Sequence, residues 1–177
     1  MKRRTEEVEI LVELGGETEI RTGDEVFDHL LETLFFYMGE SGVVKASWDL
    51  RHHLWEDTGI LLGKAIGQTI KERKISRFGD AVIPMDESLV MAVVDVSRPC
   101  FAADLEPEEE EEGFSLTLTR QFLAALSRSL EATIHLKQFR GGNAHHLIEA
   151  AFKSLGAALG EALETSERIE STKGGLK

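Results

Sequence analysis

Several things are scarce in this chain of 177 residues, and each scarcity excludes something. There is one cysteine, so neither a disulfide framework nor a cysteine-based zinc site can be built, and the chain suits a reducing compartment. Only three prolines, with hydrophobic residues at 42%, exclude extensive disorder and leave enough apolar surface for a sizeable core. No apolar run nears the roughly 18 residues of a membrane span. The N-terminus, Met1-Lys2-Arg3-Arg4-Thr5, leads into acidic residues instead of the apolar stretch of an export signal. Basic side chains are outnumbered 20 to 32, and the formal charge of −12 argues against nucleic acid as a partner. The expectation is an acidic, cytoplasmic domain with neither membrane nor nucleic acid among its partners. At roughly 100–200 residues per domain, it is one domain or two small halves sharing a core. Histidine is scarce too, at six residues, and where those six fall is the most informative feature.

Hydrophobic periodicity predicts the elements. Val8 to Val12 alternates and is followed by Gly15-Gly16, which reads as a hairpin opening the chain. Helical spacing runs over residues 26–38 through Phe27, Leu30, Leu31, Leu34 and Phe35, and again over 52–70. Between them, residues 43–48 read as a strand. The order then repeats: strands at 81–83 and 89–96 joined by a connection containing Pro84, a helix at 116–130, a strand at 133–139 and a long helix at 145–163. Residues 106–112, with six glutamates and one proline, read as a solvated loop.

The repeat extends to individual residues. Sliding residues 52–70 onto 145–163 at a constant offset of 93 gives 8 identities in 19 positions. They include His52/His145, His53/His146, Leu54/Leu147, Glu56/Glu149, Leu62/Leu155 and Gly63/Gly156. Because the flanking elements repeat as well, duplication of a half-domain explains the match better than accident. Each half must bury the apolar face of its helices, and the other half's helices are the natural cover.

Four of the six histidines form the adjacent pairs His52-His53 and His145-His146, each followed by a glutamate, Glu56 and Glu149. On a helix, that glutamate lies one turn along from its pair. Neighbouring helical residues point about 100° apart, so the two histidines of a pair more readily serve two metal ions than one. The other two, His29 and His135, fall in a helix and a strand. Imidazole with carboxylate and no thiolate suits Mn²⁺, Fe²⁺ or Zn²⁺. A lone histidine is usually a satisfied core or surface residue; a duplicated His-His-x-x-Glu with no scattered histidines is not well explained that way.

These residues stand in segments that resemble the imidazoleglycerol-phosphate dehydratase family, in an archaeal-type form: RRTEEVEI (3–10), FDHLLE (27–32), HHLWEDTGILLGKAI (52–66), RFGDAVIPMDESL (77–89), DVSRP (95–99), IHLKQFRGGNAHHLIEAAFKSLGAAL (134–159) and STKG (171–174). They span the chain nearly end to end. The resemblance implies an α+β fold of duplicated ββαβα half-domains, like the second domain of ribosomal protein S5, with helices packed between two sheets. The halves would be residues 1–78 and 79–165, followed by a substrate-closing tail at 166–177. It also implies a lyase of histidine biosynthesis that dehydrates imidazole glycerol phosphate to imidazole acetol phosphate, using two Mn²⁺ per active site.

On this resemblance, one metal takes His29, His53, Glu56 and His145, and the other takes His52, His135, His146 and Glu149. The same histidines and glutamates surround the substrate, together with Glu7, Arg77, Arg98, Ser171, Thr172 and Lys173. Arginine and lysine suit a phosphate dianion. Glu7, Glu56 and Glu149 would carry the chemistry, with Glu7 as the base. The family assembles as a 24-subunit shell with sites between subunits. Three departures stand out. The family's usual Gly or Asn between Ser97 and Arg98 is missing, the residues before the first pair read Trp48-Asp49-Leu50-Arg51 in place of an Asp-rich run, and the 106–112 loop is unusually acidic. Two other classes would fit a histidine-rich dimetal site: a metallohydrolase of another phosphate ester, and a non-enzymatic S5-like binding module with structural metal. The PMDE and STKG segments speak against the first. The second requires that histidine-pair variants unfold and that no imidazole phosphate binds.

Overall fold

The computed structural model describes residues 1–71, 73–107, 111 and 113–167. Ser171, Thr172 and Lys173 therefore lie outside the described residues, as does most of the expected closing tail.

The first half runs β1 (Lys2–Arg4), β2 (Val8–Leu14), β3 (Glu19–Arg21), α1 (Glu25–Met38), β4 (Gly42–Trp48) and α2 (Arg51–Ile70). The second runs β5 (Phe78–Met85), β6 (Ser88–Val96), β7 (Cys100–Asp104), α3 (Leu116–Leu130), β8 (Ala132–Arg140) and α4 (Ala144–Leu163). Two four-stranded sheets result, ordered β1-β2-β4-β3 and β5-β6-β8-β7, with one parallel pair in each, β3 with β4 and β7 with β8. The duplicated α+β architecture is therefore present, with each half carrying one strand more than the ββαβα pattern. The short strands β1, β3 and β7 escaped the sequence reading because three to five residues offer too little alternation.

Two local expectations need correcting. Gly15 and Gly16 do turn, at φ of 89° and 79°, but they lead to β3, which pairs parallel to β4; the opening hairpin is β1 with β2. Pro84 lies inside β5, paired with Leu89, instead of in a connection. An edge strand tolerates it, because a missing N–H there breaks no central ladder. The actual turn is Asp86-Glu87, with Asp86 at φ 47°.

Helix ends follow from local chemistry. Asp24, Ser115 and Asn143 cap α1, α3 and α4 by accepting from Phe27, Leu118 and His146 N–H groups. Gly39 ends α1 in the left-handed conformation, at φ 71°. The inner face of each sheet is apolar by alternation, Val8, Ile10 and Val12 on β2 and Val90, Ala92, Val94 and Val96 on β6.

The four helices fill the space between the sheets and cross between halves: α2 packs on α3, and α4 on α1. The duplicated glycines make this possible. A Cβ on Gly63 would lie 2.8 Å from the Leu126 carbonyl, and one on Gly156 would lie 2.8 Å from the Leu34 carbonyl. Each glycine lets its helix touch the other half's backbone. Each helix also contributes a ring to one buried aromatic cluster: Phe27 stacks on Trp55 at 4.2 Å, Phe122 meets Phe27 edge-on at 5.3 Å, and Phe152 lies against Phe122 at 5.7 Å.

Candidate active site

The histidine pairs open α2 and α4, so each pair sits at a helix N-terminus. Asp24 locks the ends of α1 and α2 together. Besides capping α1, its carboxylate accepts from Arg51 Nε at 2.7 Å and Trp55 Nε1 at 2.9 Å. Arg51 also donates to the Gly113 carbonyl at 3.1 Å, which draws the 113–115 connection over the same end. Burial pushes the Asp24 carboxyl up, but hydrogen bonds from Arg51, Trp55 and Phe27 N–H together bring it below its usual value.

One cluster joins His29 of α1 to His145 and Glu149 of α4, with ligand atoms within 4.8 Å of one another. Glu149 Oε2 lies 3.0 Å from His29 Nε2 and 2.9 Å from His145 Nε2, while Oε1 accepts from Lys153 Nζ at 2.7 Å. Phe114 stacks on His145, with ring centroids 4.3 Å apart. The Glu149 side chain is only 9% exposed. Burial alone would raise its pKa; the donors His29, Lys153 and His145 outweigh that and hold it at about 2. The site therefore keeps a fixed anion between two imidazoles.

A second group gathers His146 with Asp86 and Glu87 of the β5–β6 turn. At the equivalent place in the first half, His53 lies 2.7 Å from Asp49 and 3.9 Å from Glu7, which sits in the β1–β2 turn. The hydrogen bond with Asp49 raises the His53 pKa, and that with Glu87 raises that of His146. His52 lies beside His53, ring centroids 4.1 Å apart. Glu56, 45% exposed, pairs with Arg128 at 3.3 Å.

The single chain does not unite all the expected ligands. His135 lies on the outer face of the second sheet, opposite Val93 and Ala102, with Ile134 and Leu136 turned into the core. The helices pack on the inner face, so the sheet separates His135 from every other histidine. Within the chain the carboxylate beside His29 and His145 is Glu149, which the family resemblance puts with the other metal.

The arginines lie elsewhere again. Arg77, at φ 71°, pairs through Nε and Nη2 with Asp95 at 2.7 and 3.0 Å, and its guanidinium lies 4.6 Å above the Phe78 ring. Arg98 follows the buried Ser97 directly; its side chain is exposed, and Thr133 Oγ1 donates to its carbonyl at 2.9 Å. The Arg77 N–H donates to the carbonyl of Ala162, near the C-terminus of α4. His146 and Ala162 are 16 residues apart on one helix, which at 1.5 Å per residue is about 24 Å. The segment that follows α2 meets the end of α4 there too, where Arg73 reaches the Leu163 carbonyl and the Ser76 N–H donates to that of Glu164. The chain thus has a histidine end and an arginine end.

Three polar residues at the histidine end were not singled out in the sequence. Lys153 follows Glu149 by four residues, and His53 follows Asp49 by four; both spacings were readable. Glu87 stands in the PMDE segment, but only the closed tertiary structure brings it to His146.

Comparison with known proteins agrees with this architecture. The family profile described as imidazoleglycerol-phosphate dehydratase matches residues 22–159. The protein of that name from Pyrococcus furiosus is 50% identical over 177 residues, covering 99% of this chain and all of the relative. That from Metallosphaera sedula is 42% identical over 98% of this chain and 96% of its own. Among solved structures, the Pyrococcus furiosus enzyme in complex with (S)-C348 superposes with a TM-score of 0.94 at 50% identity, covering 98% of this chain and 99% of that one. The Staphylococcus aureus enzyme gives 0.83 at 32% identity, covering 94% and 98%.

Proposed function

The chain belongs to the imidazoleglycerol-phosphate dehydratase family, the hydro-lyases of histidine biosynthesis, and we propose that it works through two Mn²⁺ ions at sites completed between subunits. The donor set fits such ions. Imidazole nitrogens and a carboxylate oxygen lie within 4.8 Å in the His29–His145–Glu149 group, and the only thiol in the sequence, Cys100, is on β7. One ion would be held by His29, His53, Glu56 and His145, the other by His52, His135, His146 and Glu149. Bound metal would supply Lewis-acid stabilisation of negative charge on the substrate's imidazole ring.

The observation that carries the assembly is the separation of about 24 Å between the histidine end and Arg77 along α4. Imidazole glycerol phosphate is far shorter than that. Its ring and its phosphate cannot reach both ends of one chain, so histidines and arginines must come from different copies. His135, isolated behind its sheet, requires the same. The 24-subunit shell implied by the sequence resemblance meets both demands.

The chain's own residues then have defined tasks. Arg77 and Arg98, gathered around Asp95, bind the phosphate dianion. The sequence resemblance adds Ser171, Thr172 and Lys173 to these phosphate contacts. The net reaction removes the hydroxyl on the carbon attached to the ring and a hydrogen from the next carbon, as water, and the enol becomes a ketone. Glu7, 3.9 Å from His53 in an exposed turn, takes that hydrogen as a proton. Manganese-loaded protein incubated with imidazole glycerol phosphate should form the enolisable ketone, and protein stripped with chelator should not. Equal turnover with and without metal refutes the proposal.

A further inference from the structure

The second histidine of each pair has a carboxylate on its Nδ1. His53 Nδ1 lies 2.7 Å from Asp49 Oδ1, and His146 Nδ1 lies 2.9 Å from Glu87 Oε2 and 3.1 Å from Oε1. An ionised carboxylate only accepts, so in each pair the imidazole donates and Nδ1 carries the proton. Nε2 is then left with its lone pair. The nearest carboxylates to Nε2 are beyond hydrogen-bonding range of a well-formed contact, Glu7 at 3.9 Å from His53 and Asp86 at 3.5 Å from His146.

The two contacts are built by unrelated means. Asp49 precedes α2 and reaches one turn forward, while its Oδ1 also accepts the Leu50 N–H at 2.6 Å. Glu87 comes from the β5–β6 turn, and its Oε1 also accepts the N–H of Asn143, the cap of α4, at 3.2 Å. Gly142 makes room for it. A Cβ there would overlap the Glu87 carboxylate and stand 2.6 Å from Ser88 Oγ. Two halves that arrive at the same contact by different routes point to a requirement of the histidine, not of the local fold.

We propose that Asp49 and Glu87 are positioning residues that hold His53 and His146 as Nδ1–H tautomers and so present Nε2 as the metal-binding nitrogen. A carboxylate behind a ligating histidine fixes the ring and strengthens its donor nitrogen. This inference rests on the reading of His53 and His146 as metal ligands, yet the tautomer itself is a property of the metal-free protein.

The test is ¹⁵N NMR of histidine-labelled, chelator-treated protein at a pH where the imidazoles are neutral, with the Nδ1/Nε2 pairs of the six histidines assigned by single His→Gln variants. His53 and His146 should be Nδ1–H. Glu87→Ala should move His146 towards the Nε2–H form and leave His53 unchanged; Asp49→Ala should do the reverse. Calorimetric Mn²⁺ affinity should fall about 10–100-fold in each. Glu87→Gln, whose amide oxygen still accepts, should keep the tautomer and most of the affinity, and its circular dichroism should match the parent. A His146 tautomer that ignores Glu87→Ala, or an Nε2–H form in the parent, overturns the proposal. Correct tautomers without manganese-dependent turnover would instead overturn the metal reading alone.

Discussion

Three glycines of α2, Gly59, Gly63 and Gly67, are spaced four residues apart, and the structure assigns them opposite responses to the same substitution. A Cβ on Gly67 would meet nothing within 4 Å. Gly67→Ala therefore gains only the helical preference of alanine and should stabilise by about 1 kcal/mol. Gly63→Ala gains the same preference, but its Cβ would stand 2.8 Å from both the Leu126 carbonyl oxygen and the Leu130 nitrogen. Backbone cannot rotate aside as a side chain can, so α2 and α3 must separate. Overpacking of this kind costs about 1–3 kcal/mol, which leaves a net loss of up to about 2 kcal/mol. Gly59→Ala, aimed into the Phe122 carbonyl, should be at least as costly. Urea unfolding of the chelator-treated protein gives the midpoints: Gly67→Ala above the parent, Gly63→Ala and Gly59→Ala below it. For a chain of this size each kcal/mol is about 2–4 °C in Tm. If Gly63→Ala stabilises like Gly67→Ala, the close α2–α3 contact is not present in the molecule and the account of the duplicated glycines is wrong.

Glu149, held at about 2 when metal-free, has a pKa below its unfolded value, so it stabilises the fold above about pH 4.3 and that contribution fades as pH falls towards 2. Glu149→Gln should therefore be less stable than the parent at neutral pH, with urea midpoints that converge on acidification; a constant gap would mean the charge is not what matters. Glu7→Gln should lose at least about 10²-fold in turnover with unchanged manganese content, and full turnover in that variant would remove Glu7 as the base. Because the proposed metals join ligands from different copies, chelation should shrink the particle seen by light scattering and Mn²⁺ should restore it. A particle of constant mass through both steps would separate assembly from metal binding.

Much of this was readable before folding. Helical periodicity located all four helices within about a residue of their ends, because each buries a long apolar stripe. The duplication was visible because the histidine pair, its glutamate and the interface glycine recur at one offset. What stayed hidden depends on closure in three dimensions. Pro84 looked like a break because its place on a sheet edge is a property of the sheet, not of its neighbours. Glu87 looked like a turn residue because nothing local says that His146, 59 residues later, lies against it. The distance between Arg77 and the histidines could be inferred only once β5 was known to run along α4.

Duplication supplied two equal frameworks, and the differences laid over them give the two repeated glutamates different surroundings. Glu56 and Glu149 occupy equivalent positions, as do Ile60 and Lys153 one turn later, at the same offset of 93. In the second half Lys153 holds Glu149, which is 9% exposed; in the first half Ile60 offers no charge and Glu56, 45% exposed, turns to Arg128 on the neighbouring helix. An anion that is buried and fixed on three sides has little freedom to move or to trade partners. One that shares a solvent-screened pair gives it up at small cost. To join His52, His135 and His146 in the proposed dimetal site, Glu149 would have to give up His29 and His145, whereas Glu56 would leave Arg128 at small cost.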